Sequence, residues 1–522
     1  MNSIVWGLMV CPLILLMFGL LPSRIANSHV AFVRRVSVIA LGILAIQAAL
    51  VLLLIVVTGR TLHLSLSSVK PPTPGDVGIL VDGIAAVMFA LVTFVGFIVA
   101  QFSVRYLDGD PRQGRYYRWL SFTIASVSLM VISGSLLQYC FMWAITSVGL
   151  HNLLLHYQAR PGARRAAWTK FAVSRCGDAF LMAAVIIMFR TLGTTEFAEL
   201  TARANDLPRS TVSAIAWLVM LGAAIKSAQF PFHVWLPNTL ETPTPVSALM
   251  HAGIVNAGGL LIVRLSPVMV MAPVVLNTLV IIGAITVLFA GLTMMTQSSV
   301  KRMLAYSTIA QMGFMMVQCG LGAFAASLLH IVAHSLYKAH AFLNSGNAPS
   351  QSFARRTKTS ERPSLKQSVG GLLFIVVTTV AAYLSISMLI FGHGSSKPGG
   401  LLLGGILCLS LVMWGWHFSI SRAVSTRLVG VVGTTTLCLL YLSCYEMLAT
   451  VVTTAIPAVH DVDTSFLSYA VVFAVFGSLC AVALTIDSGR HLHRIEGLRI
   501  HALNGFYIDA CYRRVFAAWI RE

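Results

Sequence analysis

Residues 226–245 read KSAQFPFHVWLPNTLETPTP and sit within an apolar stretch that begins near residue 211. They place a lysine, a histidine, a glutamate and four prolines where hydropathy would otherwise carry the chain across a bilayer. An uncompensated charge at the centre of a spanning helix costs roughly 2.5–3.5 kcal/mol. Lys226 falls about half way along residues 211–240, too far from either interface for its stem to snorkel easily. Pro231 removes a backbone donor and clashes with the preceding turn, and Pro237, Pro243 and Pro245 extend the disruption. The reading is a helix broken just after Lys226, and broken helices at membrane depth line cavities or ion sites. The plainer alternative is a proline kink beside a snorkelling lysine. His233 and Glu241, inside the same stretch, are expected to support the site.

The surroundings make this a membrane problem. Of the 522 residues 57% are hydrophobic and 10% charged, and runs such as VSVIALGILAIQAALVLLLIVVTG exceed the roughly 18–20 apolar residues that span a bilayer. The first run starts at Ile4 without a basic segment ahead of it, so it reads as an uncleaved spanning helix. Nine scattered cysteines include no C-x-x-C pair, so neither a disulfide framework nor a thiolate metal site is indicated.

Spanning helices are expected at about 4–22, 31–58, 77–101, 119–136, 138–157, 167–189, 211–240 (interrupted), 244–263, 269–293, 299–320, 323–345, 368–392, 400–420, 428–452 and 466–486, giving an all-α polytopic membrane protein of about 14–15 transmembrane helices. With the N-terminus outside, 26 of the 36 Lys and Arg fall on the inner side, seven in outer loops and three within helices. That bias sets the C-terminus in the cytoplasm of a multi-pass inner-membrane protein and explains the net charge of +19 without nucleic acid. The polar, basic loop at 346–367 lacks apolar periodicity. The tail, 487–522, mixes Arg and His with Leu, Ile, Phe and Tyr, and reads as an amphipathic helix on the inner surface or a docking site for a partner.

Other charges fall where lipid should be. Asp178, in FAVSRCGDAFL, is the expected partner of Lys226; Arg175, three residues earlier on the same face, offers it a closed structural pair instead, and both can hold together. SLLHIVAHSLYKAHAFL places His330, His334 and Lys338 at spacings of four, one stripe along a helix. Imidazoles both accept and donate protons, so the stripe reads as a relay; structural histidines are the alternative, and zinc lacks a third ligand. His251 follows the break and is expected to link Lys226 to that stripe, or to bond a carbonyl. Lys301 and Arg302 open the tenth crossing as interfacial anchors, Lys301 as a supporting residue. Glu446 is given no role.

These segments, with KRMLAYSTIAQMG, closely resemble the antiporter-like, proton-translocating membrane subunits of respiratory complex I, its L subunit most of all, and of Mrp cation/proton antiporters. The resemblance is strong over residues 75–345. It implies two inverted five-helix repeats with a broken helix at the ion site, dividing the chain into N-terminal helices (1–116), a first repeat (117–264), a second repeat (265–425), C-terminal helices (426–486) and the tail (487–522). It also implies a Trp-Glu pair on the fifth crossing, where this chain has Trp143 followed by Ala144, and a charge in the second repeat, where GGLLFIVVTTVAAYLSISMLIFG has none.

An intact first lysine with a reduced second repeat resembles the DabB membrane subunits of DAB inorganic-carbon accumulation complexes. That implies an ion-conducting subunit, for protons or sodium, rather than an enzyme, coupled to a DabA-like cytoplasmic partner similar to a zinc β-carbonic anhydrase. The zinc would belong to the partner, no cofactor to this chain. The alternatives are an Mrp-type cation/proton antiporter subunit or a complex I-like NADH-quinone oxidoreductase subunit L.

Overall fold

Lipid cannot pair backbone amides, so each long apolar run closes its hydrogen bonds within itself as a helix. The computed structural model describes residues 2–65, 78–347, 365–392, 397–419, 421, 423–453, 455–456, 465–488 and 492–515. Among these, fifteen long helices follow one another: α1 (Asn2–Gly19), α2 (Val30–Thr58), α3 (Gly83–Tyr106), α4 (Gln113–Val131), α5 (Leu136–Leu154), α6 (Pro161–Leu192), α7 (Arg209–Lys226), α8 (Thr244–Arg264), α9 (Pro273–Thr296), α10 (Val300–Gly320), α11 (Phe324–Leu343), α12 (Leu365–Phe391), α13 (Gly400–Ser419), α14 (Val424–Val452) and α15 (Phe466–Ser488). Each expected crossing has its helix. Loops 107–112, 155–160 and 297–299 share the basic end of the bundle, and loops 132–135, 193–208 and 265–272 share the opposite end.

Nine of the described helices are long and apolar enough to cross a membrane by length and composition: α2, α3, α6, α7, α8, α9, α12, α14 and α15. Others are more polar because they are enclosed. Every residue of α4 from Leu120 to Val131 is buried; Ser121 donates to Ser37 Oγ at 3.1 Å and Thr123 to the Trp119 carbonyl at 2.7 Å. Only 11% of the apolar window of α12 and of α15 is buried, so these helices turn most of their surface outward, as lipid-facing helices do.

The structure differs from expectation in four places. The third crossing does not start at 77: Gly78–Val81 forms strand β2, antiparallel to β1 (Leu62–Ser65) with Leu62 opposite Val81. Asp82 then caps α3 by accepting from the Ala85 amide at 2.9 Å. The sixth crossing starts at Pro161, six residues before 167, since proline suits a first helical turn. The eighth crossing is not one regular helix; a π-helical turn, Met250–Ile254, interrupts it, with the Val255 amide reaching back to the Met250 carbonyl at 3.1 Å. The tail is not a single helix: α16 (Glu496–Leu503) and α17 (Ile508–Val515) flank Gly505, Phe506 and Tyr507, whose φ values are 58°, 51° and 61°. Residues 348–364 of the expected basic loop, and 489–491 and 516–522 of the tail, lie outside the described residues.

Small residues set the closest approaches. A Cβ on Gly283 of α9 would stand 2.6 Å from the Gly313 carbonyl oxygen of α10, and one on Gly313 2.7 Å from that of Gly283. Without a hydrophobic drive between helices in lipid, such backbone contact supplies the packing energy.

Candidate functional site

α7 stops at Lys226, before Pro231, and its loose ends are tied to neighbours. Ser227 Oγ donates to the Val255 carbonyl at 2.8 Å, and the Phe230 amide donates to Thr286 Oγ1 at 3.0 Å. Ala228, fully buried, adopts φ 52°, a left-handed conformation that costs about 1–2 kcal/mol. It persists because α8 and α9 fix the residues around it. Two 3₁₀ turns, Phe232–Trp235 and Pro237–Glu241, then lead to α8.

The Lys226 side chain is 3% exposed and its ammonium is ion-paired with Asp178 Oδ1 of α6. The ammonium also lies 3.9 Å from the centre of the Trp143 ring of α5, a cation–π contact on its second side. Arg175 Nη2 is 2.7 Å from Asp178 Oδ2, without the alignment of a hydrogen bond, so this is a charge contact. Arg175 also lies over the Phe171 ring, at 4.8 Å, and is 38% exposed. Asp178 therefore meets both cations. Gly177 lets this happen: a Cβ there would stand 2.6 Å from Lys226 Cγ.

A second buried lysine adjoins the first. Lys170 of α6 is 6% exposed and donates to Ser147 Oγ at 2.8 Å and to the Ser147 carbonyl at 3.3 Å; Ser147 Oγ in turn donates to Ser174 Oγ at 3.3 Å. Trp143, Ser147, Lys170, Ser174, Lys226 and Trp235 line a cavity of about 20 Å³. Sequence reasoning passes over Lys170 because a helix drawn from 167 leaves it at the mouth, among the anchors. In the longer α6 it stands nine residues in, about 13 Å along the axis.

A second polar cluster lies beyond α8. Lys338 of α11, 0% exposed, donates to Ser307 Oγ at 2.7 Å and to the Leu304 carbonyl at 3.3 Å, both on α10. One turn back, His334 stacks with His330 at 6.0 Å between ring centres, and His330 meets Phe314 edge-on at 5.3 Å. His251 sits in the π-helical turn, fully buried, stacked on Phe342 of α11 at 4.5 Å. Asn256 Nδ2 donates to Ser335 Oγ of α11 at 2.8 Å. The π turn touches both clusters, since Ile254 and Val255 line the Lys226 cavity. Both ring nitrogens of His251 and of His334 lack a protein hydrogen-bond partner. Buried polar atoms of that kind are ordinarily met by water.

The remaining expected residues divide. Pro231 opens the first 3₁₀ turn, and His233, buried, stacks on Phe230 at 6.0 Å. Glu241 is not at the site: the turns carry it to the basic end, where it is half exposed and 3.7 Å from Arg160. Lys301 lies in the first turn of α10, at the basic end. Among the described residues no cluster of three or more His, Cys, Asp or Glu is arranged to hold a metal ion. α12 runs unbroken and carries no charged residue after Lys366. The tail packs under the break: Phe506 meets Phe289 edge-on at 4.8 Å, and Asn238 Nδ2 donates to Asp509 Oδ1 at 3.3 Å.

An ammonium paired with a carboxylate beside a water-sized cavity, followed by a line of imidazoles, can take up and release protons. The family model described as NADH:quinone oxidoreductase/Mrp antiporter, TM, matches residues 133–397, and that of the complex I chain 5 N-terminus matches residues 73–117. A probable inorganic carbon transporter subunit DabB2 of Halothiobacillus neapolitanus is 45% identical over 281 residues, 52% of this chain and 51% of that protein. The DabB counterpart of Hydrogenovibrio crunogenus is 40% identical over 290 residues, 55% of this chain and 56% of its own length. The matched region thus spans about half the length of these relatives. In fold, the chain superposes over 98% of its length on part of the Mrp complex of Dietzia sp., with a TM-score of 0.66 at 23% identity, covering 59% of that structure's chain. The protein is therefore a multi-pass membrane protein that belongs to the NADH:quinone oxidoreductase/Mrp antiporter transmembrane family.

Proposed function

We propose that the chain is the ion-conducting membrane subunit of a two-component inorganic-carbon accumulation complex. The observation that carries the reading is asymmetry: the Lys226–Asp178 pair is complete at a broken helix, while α12 is unbroken and uncharged after Lys366. A path with one working half suits ions that end in a partner rather than cross to the far face. The likeness to proteins named as inorganic carbon transporter subunits supports that choice.

In this reading the basic end faces the cytoplasm and the N-terminus lies outside the inner membrane, because Lys and Arg resist translocation. Protons or sodium ions enter from outside, pass Lys226 with Asp178, His251 and the stripe of His330, His334 and Lys338, and give their gradient energy to the partner. One charge across 100 mV supplies about 2.3 kcal/mol. The partner is a DabA-like cytoplasmic protein, whose zinc would hydrate CO₂ to bicarbonate, and the tail beneath the break is its docking surface. The segment 117–264 acts as the working repeat and 265–425 as the reduced one.

The test is growth. Co-expression of the chain and the product of its neighbouring gene should restore growth in air to a bacterium lacking carbonic anhydrase. A pair that assembles yet supports growth only at high CO₂ refutes the proposal; sodium/proton exchange by everted vesicles of such cells would identify an antiporter instead.

A further inference from the structure

The mechanism proposed above leaves Lys170 unused, although burying an amine without a carboxylate is costly. Asp178, the carboxylate of this site, is already in contact with Lys226 and Arg175. Lys170 rests instead on one serine, Ser147, through its hydroxyl and its carbonyl. On α6, Lys170, Ser174 and Asp178 are spaced by four, hence on one face, with Lys170 nearest the basic end. The cavity of about 20 Å³ that Lys170 shares with Lys226 has room for about one water and is too small for bicarbonate.

We infer that Lys170 is a second proton-carrying residue of the site, linked to Lys226 through one water and leading toward the basic end of α6. The inference rests on the proposed ion-conducting function and gives its carrier. The Lys226 ammonium gives a proton to the cavity water as that water gives one to the Lys170 amine. One N–H bond breaks at Lys226, one forms at Lys170, and the water is regenerated. Asp178 keeps Arg175 as counter-charge while Lys226 is neutral. Lys170 then releases its proton to solvent water at the basic end and is again an amine, and the next proton from outside recharges Lys226. A metal cation fits this step poorly: it would meet Lys170, Lys226 and Arg175 against the single carboxylate of Asp178, with few oxygens to replace its water.

The test uses the complex of full-length chain and partner in vesicles, with acidification and inorganic-carbon uptake read separately under an imposed gradient. Lys170→Met and Lys170→Arg should each slow acidification roughly 100-fold, the scale of losing a positioned proton carrier. Lys170→His, which can both hold and release a proton, should recover part of it. Yield and size-exclusion profile establish that each variant assembles. Full acidification by Lys170→Arg would show that only the positive charge matters and overturn the inference, as would full acidification by Lys170→Met. Wild-type vesicles that import carbon without acidifying, or that move neither, overturn it too. Vesicles that acidify without importing carbon refute the inorganic-carbon reading alone, and the variants still decide Lys170 on the acidification rate.

Discussion

Replacing Asp178 by Asn removes the carboxylate from Lys226 while keeping size and shape. Lys226 has a 3% exposed side chain, so no solvent substitutes for the lost charge. Breaking a buried pair from one side typically costs about 3–5 kcal/mol. The Trp143 face, 3.9 Å from the ammonium, remains, and a desolvated cation–π contact is worth about 2 kcal/mol. Asp178 is itself 22% exposed, which lowers the loss further, so the net destabilisation should be about 1–3 kcal/mol. The Asp178→Asn, Lys226→Met double variant removes both charges and should lose less than the two single variants combined, by about 1–3 kcal/mol. Arg175 remains, but it is 38% exposed and lies over Phe171, so its charge does not depend on Asp178 for solvation. Denaturant titration of the purified chain in mixed micelles measures all three differences. Costs that add within about 0.5 kcal/mol would mean that the two groups do not interact, and the site as described would be wrong.

Two further outcomes follow from the packing. Gly177→Val puts side-chain atoms where the Lys226 stem lies, the Cβ alone at 2.6 Å from Cγ, so ion transport should fall at least tenfold while Gly477→Ala, on α15 with open space around it, leaves transport within about twofold. The Asp82–Arg264 pair, buried at the opposite end where α8 meets the cap of α3, is structural: Arg264→Met should cost about 3–5 kcal/mol, read as lower yield of folded protein, with transport per folded molecule unchanged.

Much of the fold was legible in the sequence because the bilayer permits few alternatives: an apolar run of sufficient length must be a helix, and Pro231 must end one. The hairpin of β1 and β2 was hidden because GILV is as apolar as the helix it precedes, and only its register with Leu62–Ser65 distinguishes it. The π turn around His251 left no trace in hydropathy, since one extra residue per turn changes direction but not composition. Among site residues, Lys226, Asp178 and the His330–Lys338 stripe stood out as charges in apolar surroundings. Trp143 was visible only as a marker of Ala144, because an aromatic ring in a spanning helix is unremarked until an ammonium is found over it. Glu241 was read into the site by proximity in sequence, which the two 3₁₀ turns undo by carrying the chain to the basic end.

The central claim is that Lys226 couples a cation gradient to inorganic-carbon accumulation. It is tested most directly by measuring labelled inorganic carbon inside carbonic-anhydrase-deficient cells that express the chain with its partner, as wild type and as Lys226→Ala, with and without an uncoupler. Wild-type cells should concentrate carbon above the external level, and either the uncoupler or Lys226→Ala should abolish this while the complex remains assembled. Accumulation by an assembled Lys226→Ala complex equal to that of wild type would contradict the account.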